Sequence, residues 1–155
     1  MIIMNKIKIF IIVLFLSSCG YTSIYKDVSD IKLNIKINNI KGDKDINNSL
    51  KRELERYSRD KDQETFFIDI ESIYNKIIVS KDATGKASDY KLQAEVKFII
   101  NYKESTTNIS YKEVINFAKI SDVFEEKQYE LTIKNNFASS ITDKLIERLV
   151  SLRWL

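Results

Sequence analysis

Tyr90-Lys91-Leu92-Gln93-Ala94-Glu95-Val96-Lys97-Phe98-Ile99-Ile100-Asn101-Tyr102 carries an apolar residue at every even position and mostly polar residues between them. Side chains of a strand point alternately to its two faces, so this stretch reads as a strand with one buried face. The flanking sequence reads the same way. Phe66 to about Ser80 is rich in aromatic and β-branched residues, and Lys81-Asp82-Ala83-Thr84-Gly85-Lys86-Ala87 joins it to the next strand as a hairpin loop. The alternation of that earlier strand slips near Ile70–Ile73, which predicts a bulge. Beyond Tyr102, Glu104 to Asn108 makes a turn and Ile109 to about Ala118 forms a further strand.

Outside this three-stranded unit the period changes. From about Asp122 to Arg153, Leu131, Ala138, Ile141, Leu145, Leu149 and Leu152 form one helical stripe that Phe137 widens. Lys127, Glu130, Lys134, Asp143, Lys144 and Glu147 are expected on the opposite, solvated side, and no proline interrupts the run. Towards the start, Ile31, Leu33, Ile35 and Ile37 alternate as a strand, followed by a polar turn from Asn38 to Lys44. Ile46, Leu50, Leu54 and Tyr57 then share one face of a helix whose other face carries Lys51, Arg52, Glu55 and Arg56; Asp43 or Asp45 caps it. The order β-α-β-β-β-α predicts an α+β fold: a two-layer sandwich, with a four-stranded mixed or antiparallel sheet covered by two amphipathic helices. Residues 31–155 are expected to form this single domain.

The first residues carry a different signal. Lys6 and Lys8 precede an unbroken apolar run from Ile9 to Leu16, then Ser17-Ser18-Cys19-Gly20. A basic start, a short apolar core and small residues at a cleavage point make a secretory signal, and the run is too short for a permanent membrane helix. Leu16-Ser17-Ser18-Cys19 also fits the bacterial lipobox. We therefore expect residues 1–18 to be a signal peptide and Cys19 to be the lipidation site, with diacylglycerol on its sulfur and an acyl chain on its new amino group. Residues 19–30 form the connector. Cys19 is the only cysteine, so no disulfide framework competes for it.

Composition narrows the function. The net charge of +3 falls to about +1 once Lys6 and Lys8 are removed, which predicts no general affinity for nucleic acid. There is no histidine, the single thiol is committed to lipid, and the three glycines stand far apart. Those absences remove the commonest general base, nucleophile and phosphate loop. The reading is non-enzymatic, with no cofactor beyond the covalent lipid.

Three stretches carry a resemblance. Cys19-Gly20-Tyr21-Thr22-Ser23-Ile24-Tyr25 resembles the "CGF/Y-x-P-L-Y" opening of the lipopolysaccharide-assembly outer-membrane lipoprotein family, the lipoprotein subunit of lipopolysaccharide transport (LptE); Ser23 stands in place of the proline. The order of elements from Ile31 to Tyr102 is similar too. So are Ser110-Tyr111-Lys112 and Asn116-Phe117-Ala118, followed by a helix with Asn136-Phe137-Ala138-Ser139-Ser140-Ile141, although Val123-Phe124-Glu125-Glu126 stands where the family has a second alanine. The resemblance implies an outer-membrane lipoprotein that partners and plugs the lipopolysaccharide-inserting β-barrel. It also implies help with barrel assembly and with delivery of lipopolysaccharide to the outer leaflet. The alternative is another periplasm-facing lipoprotein, a binding module of the cell wall or of a secretion complex.

Under that resemblance, Lys76, Lys81 and Lys86, around the hairpin loop, are the candidates to meet lipopolysaccharide phosphates as point charges. Lys91, Lys97 and Lys103 share one strand face and are expected towards solvent or a barrel wall. Tyr21 and Tyr25 follow the anchor as candidate partner or interface contacts. Phe137, Ile141 and Leu145 are expected to be core.

Overall fold

The computed structural model describes residues 33–58 and 64–154. The signal segment 1–18, Cys19, the connector 19–30 with Tyr21 and Tyr25, and Ile31 lie outside the described residues. The elements are β1 (Asn34–Gly42), α1 (Lys44–Tyr57), β2 (Thr65–Lys81), β3 (Ala87–Tyr102), β4 (Ser105–Ala118) and α2 (Val123–Arg153). The strands lie in the order β1-β2-β3-β4; β1 pairs parallel with β2, and the other two pairings are antiparallel. This is the α+β arrangement that the sequence order predicts.

Both helices lie on one face of the sheet. The even residues Phe66, Ile68 and Ile70 of β2 and Leu92, Ala94, Val96, Phe98 and Ile100 of β3 are buried there. They pack with Ile46, Leu50 and Leu54 of α1 and with Phe137, Ala138, Ile141, Leu145 and Leu149 of α2. Each large apolar side chain so buried contributes about 1.5–3 kcal/mol relative to exposure. Phe137, Ile141 and Leu145 are core, as expected.

The structure corrects four details. First, β1 does not turn at Asn38 but runs to Gly42, with a register shift between Ile37 and Asn39 that brings Ile40 to the inner side in place of residue 39. Gly42 then has φ +111°, and a Cβ there would lie 1.8 Å from the Ser72 carbonyl oxygen, so only glycine fits. Asp43, not Asp45, caps α1: its Oδ1 accepts from the amides of Asp45 and Ile46 at 3.1 and 3.0 Å.

Second, β2 has no bulge at Ile70–Ile73. Its register with β3 is continuous from Phe67 to Ile78 and shifts only beside Ser80. The slip is one of composition: Ser72 faces inward, where its hydroxyl donates to Asn47 Oδ1 at 2.7 Å, and Ile73 faces outward. Third, the inner stripe of α2 takes Ile133 rather than Leu131, which lines a polar groove with Asn48, Arg52 and Asn135. Glu130 and Lys134, expected in solvent, face inward. Fourth, Lys103 lies beyond β3 in the two-residue turn before Ser105, at φ +53°. Lys91 and Lys97 do lie on the outer sheet face.

Candidate functional site

Two places gather the residues singled out from sequence: the inner face of β2 near its end, and the hairpin tip beyond it. The strand alternation puts Tyr74 and Lys76 on the inner face, where the first turns of α2 lie over them. The Lys76 ammonium donates to Glu126 Oε1 at 2.7 Å and to Glu130 Oε2 at 3.0 Å, and lies 4.5 Å from the centre of the Tyr90 ring and 5.7 Å from that of Phe117. Tyr74 donates its hydroxyl to Glu130 Oε1 at 2.8 Å. One helical turn further on, Lys134 donates to Asp43 Oδ2 and Asp45 Oδ2, both at 2.9 Å, and sits 4.3 Å from the Tyr74 ring centre.

The result is a ladder of alternating charges between sheet and helix. Burial disfavours both ammonium ions, but their paired carboxylates outweigh it and hold Lys76 and Lys134 above the ordinary lysine range. Burial, reinforced by Glu130, pushes the Tyr74 phenol far up. Glu126 Oε2 is buried with no hydrogen-bond partner among the described residues. These groups hold a helix in place; none is arranged as a base beside a nucleophile.

Lys81 and Lys86 are elsewhere. Both are exposed at the hairpin tip, so the three candidate lysines do not form one cluster. The tip is organised by Asp82, whose Oδ1 accepts from the Thr84 hydroxyl at 2.7 Å, the Thr84 amide at 2.8 Å and the Lys86 amide at 3.0 Å. The Thr84 hydroxyl foremost, then the Lys86 amide, hold the Asp82 carboxyl below its usual range. Asp89 is tied in the same manner by the hydroxyls of Ser80 and Ser88 and is likewise lowered.

One cation at the tip escaped the sequence reading. Lys119 follows β4, its amide donates to the Ser88 carbonyl at 2.8 Å, and its charge acts on Asp82. Only the β3–β4 pairing, which sets Ala118 opposite Asp89, brings it here.

The outer face of the sheet is bare: no described element packs on it. Phe67, Ile73, Ile77, Ile99 and Val114 are exposed there among Lys91, Gln93, Glu95, Lys97 and Lys112. Asp69, Glu71, Lys97, Ile99, Asn108 and Ser110 border a shallow depression of about 460 Å3 on this face. Among the described residues there is no cluster of metal-ligating side chains, and no helix is long and apolar enough to cross a membrane.

No protein-family model and no curated protein matches the sequence. Solved structures do match the fold. The rare lipoprotein B of Shewanella oneidensis aligns over 75% of this chain and 96% of its own, with a TM-score of 0.58 and 10% identity. A minor lipoprotein of Acinetobacter baumannii aligns over 74% of this chain and 94% of its own, with a TM-score of 0.51 and 14% identity. The chain has the fold of these bacterial lipoproteins.

Proposed function

We propose that the protein is a lipid-anchored outer-membrane lipoprotein of the LptE type. In this reading it partners and plugs the lipopolysaccharide-inserting β-barrel, assists its assembly and helps deliver lipopolysaccharide to the outer leaflet. The role is non-enzymatic. The observation that carries it is the fold shared with rare lipoprotein B, in a chain whose sequence has the lipobox pattern Leu16-Ser17-Ser18-Cys19 and resembles the lipopolysaccharide-assembly lipoproteins. The bare sheet face supports it further. Its mixture of lysines, carboxylates and amides with a few apolar side chains suits the polar lumen of a barrel better than lipid tails. In this reading Lys81 and Lys86, exposed at the tip, would be the residues that meet phosphate. Lys76 joins them only by leaving Glu126 and Glu130.

A photo-crosslinking residue at Ile99, in the middle of the bare face, tests the reading in cells. A covalent adduct with a large outer-membrane β-barrel is expected. Adducts confined to a cell-wall or secretion-complex protein would overturn it in favour of an accessory binding module.

A further inference from the structure

The seam between the two helices is apolar towards the sheet and polar away from it. Ile46, Leu50 and Leu54 of α1 are buried in the core. Asp45, Asn48, Ser49 and Arg52, at helical spacing, line the flank of α1 that faces α2. Gln128, Leu131 and Asn135 line the opposite wall, and the walls enclose a groove of about 320 Å3. Asp45 and Arg52 stand two helical turns apart, so the groove is about 10 Å long. About three extended residues span that length. The groove lies in the helical layer, apart from the bare sheet face.

One end of it is prepared for a carboxylate. Ser49 is only 4% exposed. Its hydroxyl donates to Asn135 Oδ1 at 2.5 Å and accepts from Arg52 Nη2 at 3.0 Å. A serine buried between two helices thus holds the guanidinium from below. It also takes the carbonyl side of the Asn135 amide, which leaves the NH2 of that amide for a ligand. Among the described residues Arg52 has no carboxylate within ion-pair distance, whereas Arg56, one turn on, pairs with Glu53 at 2.8 Å. An arginine loses rotamer freedom when it meets a carboxylate, and Ser49 has already restricted Arg52.

The other end has the opposite sign. Asp45 shares the Lys134 ammonium with Asp43, so two carboxylates meet one cation there. Between the ends, the side-chain amides of Asn48 and Gln128 have no hydrogen-bond partner among the described residues. Each offers donors and an acceptor at once, as a peptide group requires. Leu131 supplies an apolar wall.

We propose that this groove takes the free carboxyl terminus of a partner polypeptide, with the terminal carboxylate on Arg52 and Asn135 and the last three residues extended past Asn48 and Gln128 towards Asp45. The planar guanidinium fork matches a carboxylate, and the amides match the backbone that leads to it. The groove therefore reads a chain end more than any particular side chain. The site is independent of the lipopolysaccharide reading and of the bare sheet face.

The test is fluorescence anisotropy of the full-length lipidated protein in dodecyl maltoside, with tri-alanine labelled at its amino end. The peptide is used as the free acid and as the carboxyl-terminal amide. The acid should bind at least about tenfold more tightly, because only it makes a charge-assisted pair. Arg52→Gln should abolish that preference, and Arg52→Lys should keep part of it. Ser49→Ala, with Arg52 intact, should weaken the acid several-fold and leave the amide unchanged. Arg56→Gln, outside the groove, should change neither. Circular dichroism checks that each variant is folded; should Ser49→Ala unfold, Arg52→Gln at its exposed position still decides. Equal binding of acid and amide, acid binding unaltered by Arg52→Gln, or no binding of either at about 1 mM overturns the proposal. Tighter binding of a cell-wall stem peptide ending in D-alanyl-D-alanine than of tri-alanine assigns the groove to the cell wall and overturns the polypeptide partner.

Discussion

α2 is held to the sheet in two different ways along its length. Its C-terminal two-thirds presents Phe137, Ala138, Ile141, Leu145 and Leu149 to Leu92, Ala94, Val96, Phe98 and Ile100, a dry apolar contact. Its first three turns present Glu126, Glu130 and Lys134 to Lys76, Tyr74, Asp43 and Asp45. The apolar contact itself depends on area and volume, with charged groups such as Lys144, paired to Glu113, and Asp143 only at its flanks. The polar part gives little net stability when whole, because desolvation offsets attraction, and becomes costly when one partner is missing. So one helix combines a fixed segment with a conditional one, and the conditional segment leads to the exposed hairpin end.

The largest expected effect lies in the fixed part. Ile141→Ala should cost about 3 kcal/mol in urea unfolding, the usual loss for emptying a fully buried aliphatic site. A loss below about 1 kcal/mol would mean that this contact is looser than described.

Next comes the ladder. The Lys76 side chain is 26% exposed and those of Glu126 and Glu130 are 15% and 21% exposed, so Lys76→Met strands two largely covered carboxylates against aromatic rings. We expect a loss of about 1–3 kcal/mol. Adding Glu126→Gln and Glu130→Gln should restore much of it; a triple variant less stable than Lys76→Met would break the comparison.

The third effect is in pH. Lys76 and Lys134 have folded-state values raised above those of the unfolded chain, so their pairings stabilise fully below the ordinary lysine value of about 10.4 and are lost as pH rises beyond it. Thermal unfolding of wild type and Lys76→Met should therefore draw together as pH rises above about 10.5 and through the raised folded-state value of Lys76. A gap that stays constant would contradict the pairing.

The smallest effect concerns Asp143, whose carboxyl is raised by burial and then by Glu53 and Glu147. Ionisation of such a group disfavours the fold at pH values above its folded-state value, and the penalty vanishes below its unfolded value. Asp143→Asn should raise stability at pH 7 by about 0.5 kcal/mol or less and leave it unchanged at pH 3, as differential scanning calorimetry would record.

The same contrast explains what the sequence revealed. β3 was legible because its alternation is nearly perfect, and α1 because Ile46, Leu50 and Leu54 repeat at helical spacing above an aspartate cap. Apolar pattern reports a core. It does not report polar groups that bury each other: Glu130 and Lys134 look solvated on a helical wheel, and Ser72 looks like an irregular strand. Their partners lie 25 to 91 residues away in sequence. The hairpin lysines Lys81 and Lys86 were visible because a loop is local, whereas Lys119 needed the β3–β4 register. Lys76 shows the opposite error, since closeness in sequence to the loop concealed that it faces the helix.

The central claim is the partner. A mild-detergent pull-down of the tagged, lipidated protein, with mass spectrometry of what accompanies it, tests that most directly. The account predicts one large outer-membrane β-barrel in about equimolar amount. Recovery of a cell-wall or secretion complex instead, or of no barrel, would contradict it.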